Sequence, residues 1–399
     1  MRVLYCHDNI YQQCREGAVY SPGQFPYSYW KPFLDNFDHL VVAGRGAKLN
    51  GSDRSKLNES GGERVSFVLF PNVNTPLGRL KYIRSVDRRM KQIVADADAV
   101  IIRAVSDLGW LAYKHAKRMN KPIAMEMAAC AWDSTWNHGN KLGKLYAPIR
   151  WLRDKSIAKN ADYVIYVSQH FLQERYPARG EVACASNVRI DDADVNVLKK
   201  RLDAIASKED EKSLPYVIGL IGNLDNRIKG IDVALNALQR VEEEKPGCFV
   251  FRHLGPGNPA PFMQKAWEFG LGNRVHFDGM MKSGGAVLSW LADIDLYLQP
   301  SYQEGVPRAA IEAMSMACPV IASTAGGIPE LINKKWLVKP GDEQGLATCI
   351  VEMLDSPRHQ IEAAQENHLK SLDYTGGILT PRRQNFWKSF SDFARTKAS

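Results

Sequence analysis

Two glutamates eight residues apart, Glu304 and Glu312, flank the start of a predicted helix. Pro307 lies between them, and proline suits the first helical position because its φ is already helical and its missing N–H would have had no partner there. A helix N-terminus carries about half a positive charge and free N–H donors, so it can hold a phosphate. The residues whose backbone would surround this phosphate are Gly305, Val306, Pro307 and Arg308.

A second glycine-rich loop follows one strand later. The apolar runs at 295–299 and 319–323 are typical of neighbouring buried strands in a parallel sheet. After the second run, Gly326 and Gly327 precede Pro329, which again can begin a helix. Two helix N-termini at the carboxyl ends of neighbouring parallel strands predict a cradle for a diphosphate.

The sequences EGVPRAAIEAM and AGGIPELI, which begin at Glu304 and Ala325, together resemble the E-x7-E signature of retaining glycosyltransferases of the GT-B fold, in glycosyltransferase family 4. The resemblance implies an α/β fold in which two Rossmann-like domains face each other across a cleft. The second domain would bind a nucleotide diphosphate sugar, with UDP or GDP as its nucleotide, and the first would bind the acceptor. Glu312 would bond the ribose hydroxyls, and Glu304 would hold the sugar and stabilise positive charge at its anomeric carbon.

The implied reaction is sugar transfer to a saccharide or lipid-linked acceptor, with front-face attack and retention, as in the synthesis of cell-surface polysaccharide or glycolipid. No metal is expected, because basic side chains and helix ends would neutralise the leaving diphosphate. Two other classes of function stay open. A nucleotide-sugar epimerase of the same fold would use no acceptor. A non-catalytic sugar- or lipid-binding module would not need both glutamates and a lysine beside the diphosphate.

The chain length and a shift in composition predict how the chain divides. A chain of 399 residues suits two domains of ordinary size. A charged stretch without a strand pattern separates two sets of apolar runs. The predicted parts are a first domain at 1–190, a linker at 191–214, a second domain at 215–378 and a C-terminal helix at 379–399. The resemblance places that helix back on the first domain.

The loop after the apolar run at 216–221 supplies the predicted basic groups for the diphosphate. The family carries an arginine and a lysine here, and Lys229 matches the lysine, whereas Asn223 occupies the usual arginine position. Arg227 is the predicted substitute, although arginine binds phosphate as a planar fork and a shifted arginine needs a different loop path. Lys229, Arg227 and Glu304 are the predicted catalytic groups on the donor side. The resemblance assigns further donor contacts to Gly222, Asn223, Gly279 and Met280.

The acceptor site is predicted from aromatic and acidic residues of the first domain. The segment after the first strand is expected to be a long aromatic loop, in which Tyr20 and Tyr27 could stack on a sugar ring or plug a core. A histidine that the family often carries near the transferred sugar is missing. Asp133 or Glu126 is therefore the predicted catalytic base, unless either is simply a buried, hydrogen-bonded carboxylate. The predicted acceptor contacts are Tyr20, Tyr27, Trp132 and His138.

The formal charge of +8 suits an anionic ligand or an anionic membrane surface. Basic helices are predicted at 79–91 and 141–159, and they could lie on anionic lipid or form the solvated outer layer of an α/β domain. Because no apolar run of about 18 residues and no signal peptide is recognisable, we expect a cytoplasmic protein, with the inner face of the cell membrane as its accessible membrane surface. The basic residues lack interleaved aromatic platforms, so no nucleic-acid partner is expected.

Several patterns argue against other chemistries. The seven cysteines contain no CxxC pair, which fits reduced thiols and argues against structural zinc. No G-x-G-x-x-G follows the first strand, which argues against a dinucleotide-dependent dehydrogenase. Two D-x-D sequences, at 96–98 and 293–295, resemble a metal motif of the other glycosyltransferase fold, but each precedes a strand and so lies at the wrong end of a sheet. We expect neither a cofactor nor a metal.

Overall fold

The computed structural model contains two mainly parallel sheets, one in each half of the chain. The described residues are 1–21, 25–49, 57–137, 141–188, 190, 195–210 and 215–398. In the first half the strands are β1 (Arg2–Gln13), β2 (Val19–Ser21), β3 (His39–Lys48), β4 (Asn58–Glu59), β5 (Val65–Phe70), β6 (Ala99–Arg103), β7 (Ile123–Met127), β8 (Tyr163–Tyr166) and β9 (Glu181–Cys184).

The first sheet runs in the parallel order β5-β3-β1-β6-β7-β8-β9. Its central strands are buried on both faces, which is why they read as continuous apolar runs in the sequence. The short strands β2 and β4 add antiparallel pairs where β1 extends beyond β6. The expected long loop after the first strand is therefore largely structured, because β1 continues to Gln13 and then turns back through β2.

The helices of this half lie on both faces of the sheet. The connections from β1 to β3 and from β6 to β7 run in opposite directions, and right-handed crossovers therefore place α1 on one face and α2, α3 and α5 on the other. Side-chain caps start two of them, since Thr75 Oγ1 accepts from Gly78 N at 3.1 Å and Ser106 Oγ accepts from Gly109 N at 2.8 Å. The helices are α1 (Lys31–Leu34), α2 (Pro76–Ala95), α3 (Asp107–Arg118), α4 (Ala131–Trp136), α5 (Lys141–Asn160) and α6 (Phe171–Arg175).

The second sheet is parallel throughout, in the order β12-β11-β10-β13-β14-β15. Its strands are β10 (Tyr216–Ile221), β11 (Phe249–Leu254), β12 (Val275–Phe277), β13 (Leu296–Gln299), β14 (Val320–Ser323) and β15 (Leu337–Val338). Its helices are α7 (Val195–Asp210), α8 (Ile231–Glu244), α9 (Ala260–Glu268), α10 (Gly285–Ala292), α11 (Arg308–Ser315), α12 (Glu343–Leu354) and α13 (Pro357–Ser371). This strand order is that of the Rossmann fold, in which the order reverses between β10 and β13.

The last helix, α14 (Gly376–Ala398), returns to the first domain, as the resemblance implied. Its Trp387 ring lies 4.7 Å from that of Phe33 in α1, and Ser391 Oγ donates to Asn36 O at 2.8 Å. The aromatic residues at helical spacing in this segment therefore form a core between α14 and the first domain. The prediction of two Rossmann-like domains with a crossing C-terminal helix is confirmed.

The predicted linker contains a helix that packs on the second domain. The helix α7 lies inside the predicted linker, yet it packs on α13, and its buried Arg201 donates to Ile294 O at 2.7 Å.

Asp98 accepts from Arg2 N at 2.6 Å and Asp295 accepts from Val217 N at 2.7 Å, both where strands begin. The D-x-D sequences therefore tie strand starts together, away from the carboxyl ends of the sheets.

Candidate active site

A chain of hydrogen bonds ends on the carboxylate of Glu304. Its Oε1 atom accepts from Lys229 Nζ at 2.6 Å, from Gln299 Nε2 at 3.0 Å and from Ser301 Oγ at 2.8 Å. Behind them, the buried Tyr297 hydroxyl donates to Gln299 Oε1 at 3.0 Å. Three donors on one oxygen fix the orientation of the carboxylate, and the ammonium group of Lys229 is held at the same point.

This cluster lies where the second sheet reverses its strand order. Lys229 follows β10, and Glu304 follows β13, which pairs directly with β10. In open α/β sheets, ligands bind outside the carboxyl ends of the strands at such a reversal. The position of the two residues is therefore that of a ligand site.

Glycines let the two loops of the second domain pack without side chains between them. Gly326 has φ +61°, and a Cβ there would lie 2.0 Å from Glu304 O. Gly327 N donates to Gly305 O at 2.8 Å, which joins the loops. A Cβ on Gly305 would lie 2.6 Å from Ala128 O of the first domain, so the backbone here also meets the opposite wall of the cleft.

Only one of the two predicted helix starts is an α-helix. Residues after Pro307 form α11, and Pro307 itself is the N-cap, with φ −72° and an extended ψ, rather than the first helical residue. The second start is a single 3₁₀ turn at Ile328–Glu330. A single turn aligns few peptide dipoles, so of these two starts α11 contributes the stronger N-terminal field. The predicted pair of helix ends is corrected to one helix end and one glycine turn.

Glu312 lies half-buried on α11. Burial raises the pKa of its carboxyl group, and the neighbouring Arg308 only partly opposes this. Among the described residues, no hydrogen bond holds its carboxylate. Burial also raises the pKa of Tyr297, and the charges of Glu304 and Glu312 raise it further, so both carboxylates lie near that hydroxyl. Glu312 is available to accept hydrogen bonds from a ligand.

In the loop between β10 and α8, the side chain of Lys229 contacts Glu304, whereas that of Arg227 does not. A Cβ on Gly222 would lie 2.8 Å from Lys229 Cβ, so the absent side chain leaves room for the lysine stem. Arg227 Nη2 lies 2.5 Å from Asp232 Oδ2, and its side chain is 80% exposed. The structure therefore directs Arg227 to a surface ion pair with Asp232 instead of toward the predicted diphosphate site.

The remaining predicted donor contacts border this loop. Asn223 Oδ1 accepts from Asp225 N at 2.8 Å and shapes the turn after β10. Gly279 has φ +71°, its carbonyl accepts from Gly255 N at 2.7 Å, and the next residue, Met280, is exposed. Their contact with a nucleotide stays a prediction.

Glu126 is a buried structural carboxylate. It accepts from Tyr5 OH at 2.7 Å, from Tyr29 OH at 3.0 Å and from Arg103 Nη1 at 2.9 Å. Arg383 of α14 lies 3.4 Å from its other oxygen. Burial alone would raise the pKa of Glu126, but the two arginines lower it. Glu126 thus joins α14 to the first sheet, which fits the predicted alternative of a buried, hydrogen-bonded carboxylate better than a base.

Asp133 is also paired. Arg175 Nη1 lies 3.1 Å and 3.2 Å from its two carboxylate oxygens. Next to it, the side-chain amide of Gln303 lies 2.8 Å from Ser134 Oγ, so α4 faces the second domain across the cleft. Asp133 therefore lies on the wall of the cleft where a catalytic base is expected, but its carboxylate is paired with Arg175.

The predicted acceptor residues are not gathered at one point. Tyr20 lies in β2, opposite Gln12, and Tyr27 donates through its hydroxyl to Glu63 O at 3.0 Å. The ring of Trp132 on α4 stacks on that of Trp136 at 5.4 Å. His138 lies outside the described residues. Of these predicted contacts, the structure places Trp132 on the helix that borders the cleft.

The sequence reasoning missed a contact between the two domains. The carboxylate of Glu330 accepts the backbone N–H groups of Gln169, His170 and Phe171 at 2.6, 3.1 and 2.7 Å. These three residues begin α6 of the first domain. Glu330 ends the motif AGGIPE, but nothing in the motif indicated a partner about 160 residues earlier. The carboxylate of Glu330 in the second domain thus caps the helix α6 of the first domain.

The described part of the chain contains neither a cluster of metal ligands nor a helix that could span a membrane. No group of three His, Cys, Asp or Glu side chains among those residues could hold a metal ion. None of the described helices combines the length and the apolar composition needed to cross a bilayer.

Comparison with known proteins gives matches over both the second domain and the whole chain. Residues 215–356 match the family model described as glycosyl transferases group 1. The chain is 30% identical to Protein CapJ of Staphylococcus aureus over 403 aligned positions, which cover 100% of this chain and 98% of CapJ. It is 33% identical to the amylovoran biosynthesis glycosyltransferase AmsK of Erwinia amylovora, over 31% of this chain and 33% of AmsK.

Solved structures share the fold over the full length. The structure of HepE from Anabaena in complex with UDP has a TM-score of 0.65 and 18% identity, and the match covers 98% of this chain and 100% of HepE. HepE has also been solved in complex with UDP-glucose. At this identity the likeness establishes the architecture.

Proposed function

The chain belongs to the glycosyl transferases group 1, and we propose that it is a retaining enzyme that moves a sugar from a UDP- or GDP-linked donor to a saccharide or lipid-linked acceptor. The product would be cell-surface polysaccharide or glycolipid. The name of AmsK supports the polysaccharide, and the HepE complexes with UDP and UDP-glucose support the nucleotide sugar.

The observation that carries the proposal is the meeting of Lys229 with Glu304 beside the N-terminus of α11. Lys229 Nζ is 2.6 Å from Glu304 Oε1 and its side chain is 26% exposed, so it can reach a ligand without leaving its partner. A diphosphate at this point would contact the ammonium group of Lys229, whose charge Glu304 partly balances, and the N–H donors of a helix end. Glu312, whose carboxylate has a raised pKa and no protein hydrogen bond among the described residues, would accept from the ribose hydroxyls.

The proposed step breaks the bond between the anomeric carbon and the diphosphate oxygen, which leaves with the electron pair. An acceptor hydroxyl attacks the same face of the sugar, and its proton passes to the leaving phosphate oxygen. Lys229 and the end of α11 stabilise the charge that grows on the diphosphate, and Glu304 stabilises the positive charge on the sugar ring. Preorganised groups act best here because they need not rearrange during the reaction.

A screen for the donor and the stereochemical course tests this proposal. Thermal shift with UDP- and GDP-sugars selects the donor, and incubation with glycan or lipid-linked acceptors then yields a product whose anomeric configuration is read by NMR. We expect transfer with retention. An inverted product would reject the retaining mechanism. Conversion of the donor alone into an epimer, without any transfer, would support the epimerase instead.

A further inference from the structure

Large apolar side chains on α2 and α5 lie exposed to solvent. On α5, Leu145, Ile149 and Leu152 follow one another at helical spacing and therefore share one side of the helix. Their exposed fractions are 76%, 45% and 57%. On α2, Leu77 and Leu80 are 81% and 85% exposed. Monomeric soluble proteins rarely expose apolar residues in such groups without an interaction partner.

Leu77 and Leu80 lie before the part of α2 whose side chains are buried in the core. The buried residues of α2 are Val86, Met90 and Val94, one helical turn apart. In the preceding turns, Tyr82 and Ile83 pack partly against the core, whereas Leu77 and Leu80 are exposed and do not take part in core packing.

Basic residues extend the rows of exposed apolar side chains on α2 and α5. Arg84, Arg88 and Lys91 follow Leu80 on the same side of α2, and all three are exposed. Each of the two helices carries six Lys or Arg against a single Asp, so each has an excess of five positive charges. Together they exceed the net charge of +8 of the whole chain, which means that the remainder is slightly acidic. The positive charge of this protein is concentrated on one pair of helices.

The two helices are held together by a network of side chains. Arg79 of α2 donates to Tyr146 OH of α5 at 2.9 Å. Both helices also reach the buried Asp107, which lies 3.4 Å from Arg79 Nη2 and 2.9 Å from Arg150 Nη2. These contacts hold the two helices in a fixed relation, and we name their exposed apolar and basic residues the α2–α5 surface. Its exposed members are Leu77, Leu80, Arg84, Arg88, Lys91, Lys144, Leu145, Ile149, Leu152 and Lys159.

A tryptophan joins the α2–α5 surface to the cleft. Trp136 is 41% exposed, and Lys144 Nζ lies 5.5 Å from its ring centroid. The next residue, Asn137, reaches Tyr302 O of the second domain at 3.4 Å. Tryptophan and lysine at the border of an apolar patch are typical of a surface that rests at a membrane interface.

We propose that the α2–α5 surface docks the protein on an anionic lipid bilayer. The leucines and Ile149 would enter the boundary between headgroups and acyl chains, and the surrounding cations would meet the lipid phosphates. A second copy of this chain fits less well, because two surfaces of high positive charge repel each other. A further step rests on the proposed function. A cleft held beside the bilayer would meet a lipid-linked acceptor more readily than a free saccharide.

Flotation of the full chain with lipid vesicles tests the docking without any need for activity. One set contains phosphatidylcholine alone, and the other contains equal parts of phosphatidylcholine and phosphatidylglycerol. We expect binding to the anionic set, weakened by added salt. The double variant Leu80→Ser/Leu145→Ser removes two exposed side chains, and its affinity should fall about tenfold for each leucine that enters the bilayer. Leu369→Ser, at an equally exposed leucine on α13, is the matched control and should bind like the wild type.

Charge reversal provides an independent arm. Arg84→Glu/Arg88→Glu should lose about fivefold or more per residue in affinity for the anionic vesicles. Arg382→Glu/Lys388→Glu changes two exposed cations of α14, on the opposite face of the first sheet, and should keep most of the affinity. Melting temperatures of all variants check that they are folded.

Three outcomes would overturn docking: no binding to anionic vesicles, equal losses in test and control variants, or a dimer in ultracentrifugation that Leu80→Ser/Leu145→Ser dissociates. Binding of UDP or GDP, followed by thermal shift in the same samples, separates the two proposals. Vesicle binding without nucleotide binding would reject the proposed function and leave the docking surface standing. Nucleotide binding without vesicle binding would reject the docking surface and leave the proposed function standing.

Discussion

Lys229 Nζ lies 2.6 Å from Glu304 Oε1, although the two residues are 75 positions apart in the chain. The pair joins the loop after β10 to the loop after β13, and it therefore lies where the second sheet reverses its order. In the proposed function, the ammonium group of Lys229 shares its charge with the donor diphosphate.

Lys229→Ala should lower kcat more than it raises the donor KM. The lysine is proposed to stabilise charge that develops on the leaving diphosphate, and loss of one such group typically costs about 10²- to 10³-fold in kcat. Glu304 keeps its bonds from Gln299 and Ser301, so the loop should stay in place. Steady-state kinetics measure the effect. Arg227→Ala is the matched control, because that side chain is 80% exposed and paired with Asp232. An equal loss in both variants would contradict the assignment.

Glu312→Ala should raise the donor KM with a smaller effect on kcat. Two hydrogen bonds from ribose hydroxyls to a charged group contribute roughly 3 kcal/mol together, which is on the order of 100-fold in affinity. Because burial raises the pKa of Glu312, its removal should not lower the melting temperature. Titration calorimetry with UDP and GDP, together with a melting curve, checks both points. Unchanged nucleotide affinity would rule out a ribose contact.

Glu330→Ala should loosen the contact between the domains. The variant leaves the N–H groups of Gln169, His170 and Phe171 without their charged acceptor. We expect a larger radius of gyration in small-angle scattering. Glu352→Ala is the control, since Glu352 pairs with Lys335 inside the second domain at 2.9 Å and should leave the scattering curve unchanged. Identical curves for wild type and Glu330→Ala would show that this carboxylate does not hold the domains together.

Asp154→Asn should make the protein more stable at pH values above 7 and leave it unchanged in mild acid. Burial raises the pKa of Asp154 from 3.8 to about 7, with Asp107 and Asp8 adding to the shift and Arg150 opposing it. The folded state therefore holds a proton that the unfolded chain has released, so stability falls as pH rises between these two values and then levels off.

The gain from Asp154→Asn should be on the order of 1.4 kcal/mol for each pKa unit of the shift. Chemical denaturation across this pH range measures it. Asp203→Asn, at an exposed aspartate of α7, serves as the control for the chemical change itself. A variant with the same pH profile as the wild type would contradict a raised pKa for Asp154.

The sequence predicted those features that depend on neighbouring residues. Continuous apolar runs predicted the parallel strands of both sheets, because strands covered on both faces need apolar side chains throughout. The spacing of Glu304, Pro307 and Glu312 predicted the loop and helix that carry the candidate site. Lys229 was found through its position before Gly230, whose φ of +68° allows the turn into α8.

Features that depend on distant parts of the chain were not predictable from local pattern. Arg383 reaches Glu126 across 257 positions, and this contact turns a candidate base into a structural carboxylate. The 3₁₀ turn at Ile328–Glu330 carries the same proline signal as α11 but ends after three residues. The exposure of Leu80 follows from where α2 first meets the sheet, which periodicity alone does not specify.

A crystal structure with UDP or GDP bound tests the central claim most directly. We expect the diphosphate beside Lys229, at the N-terminus of α11 between Glu304 and Glu312, with the ribose on Glu312. The same crystals of Lys229→Ala should show weaker occupancy at that point. A nucleotide bound elsewhere in the protein, with this position empty at saturating concentration, would contradict the account.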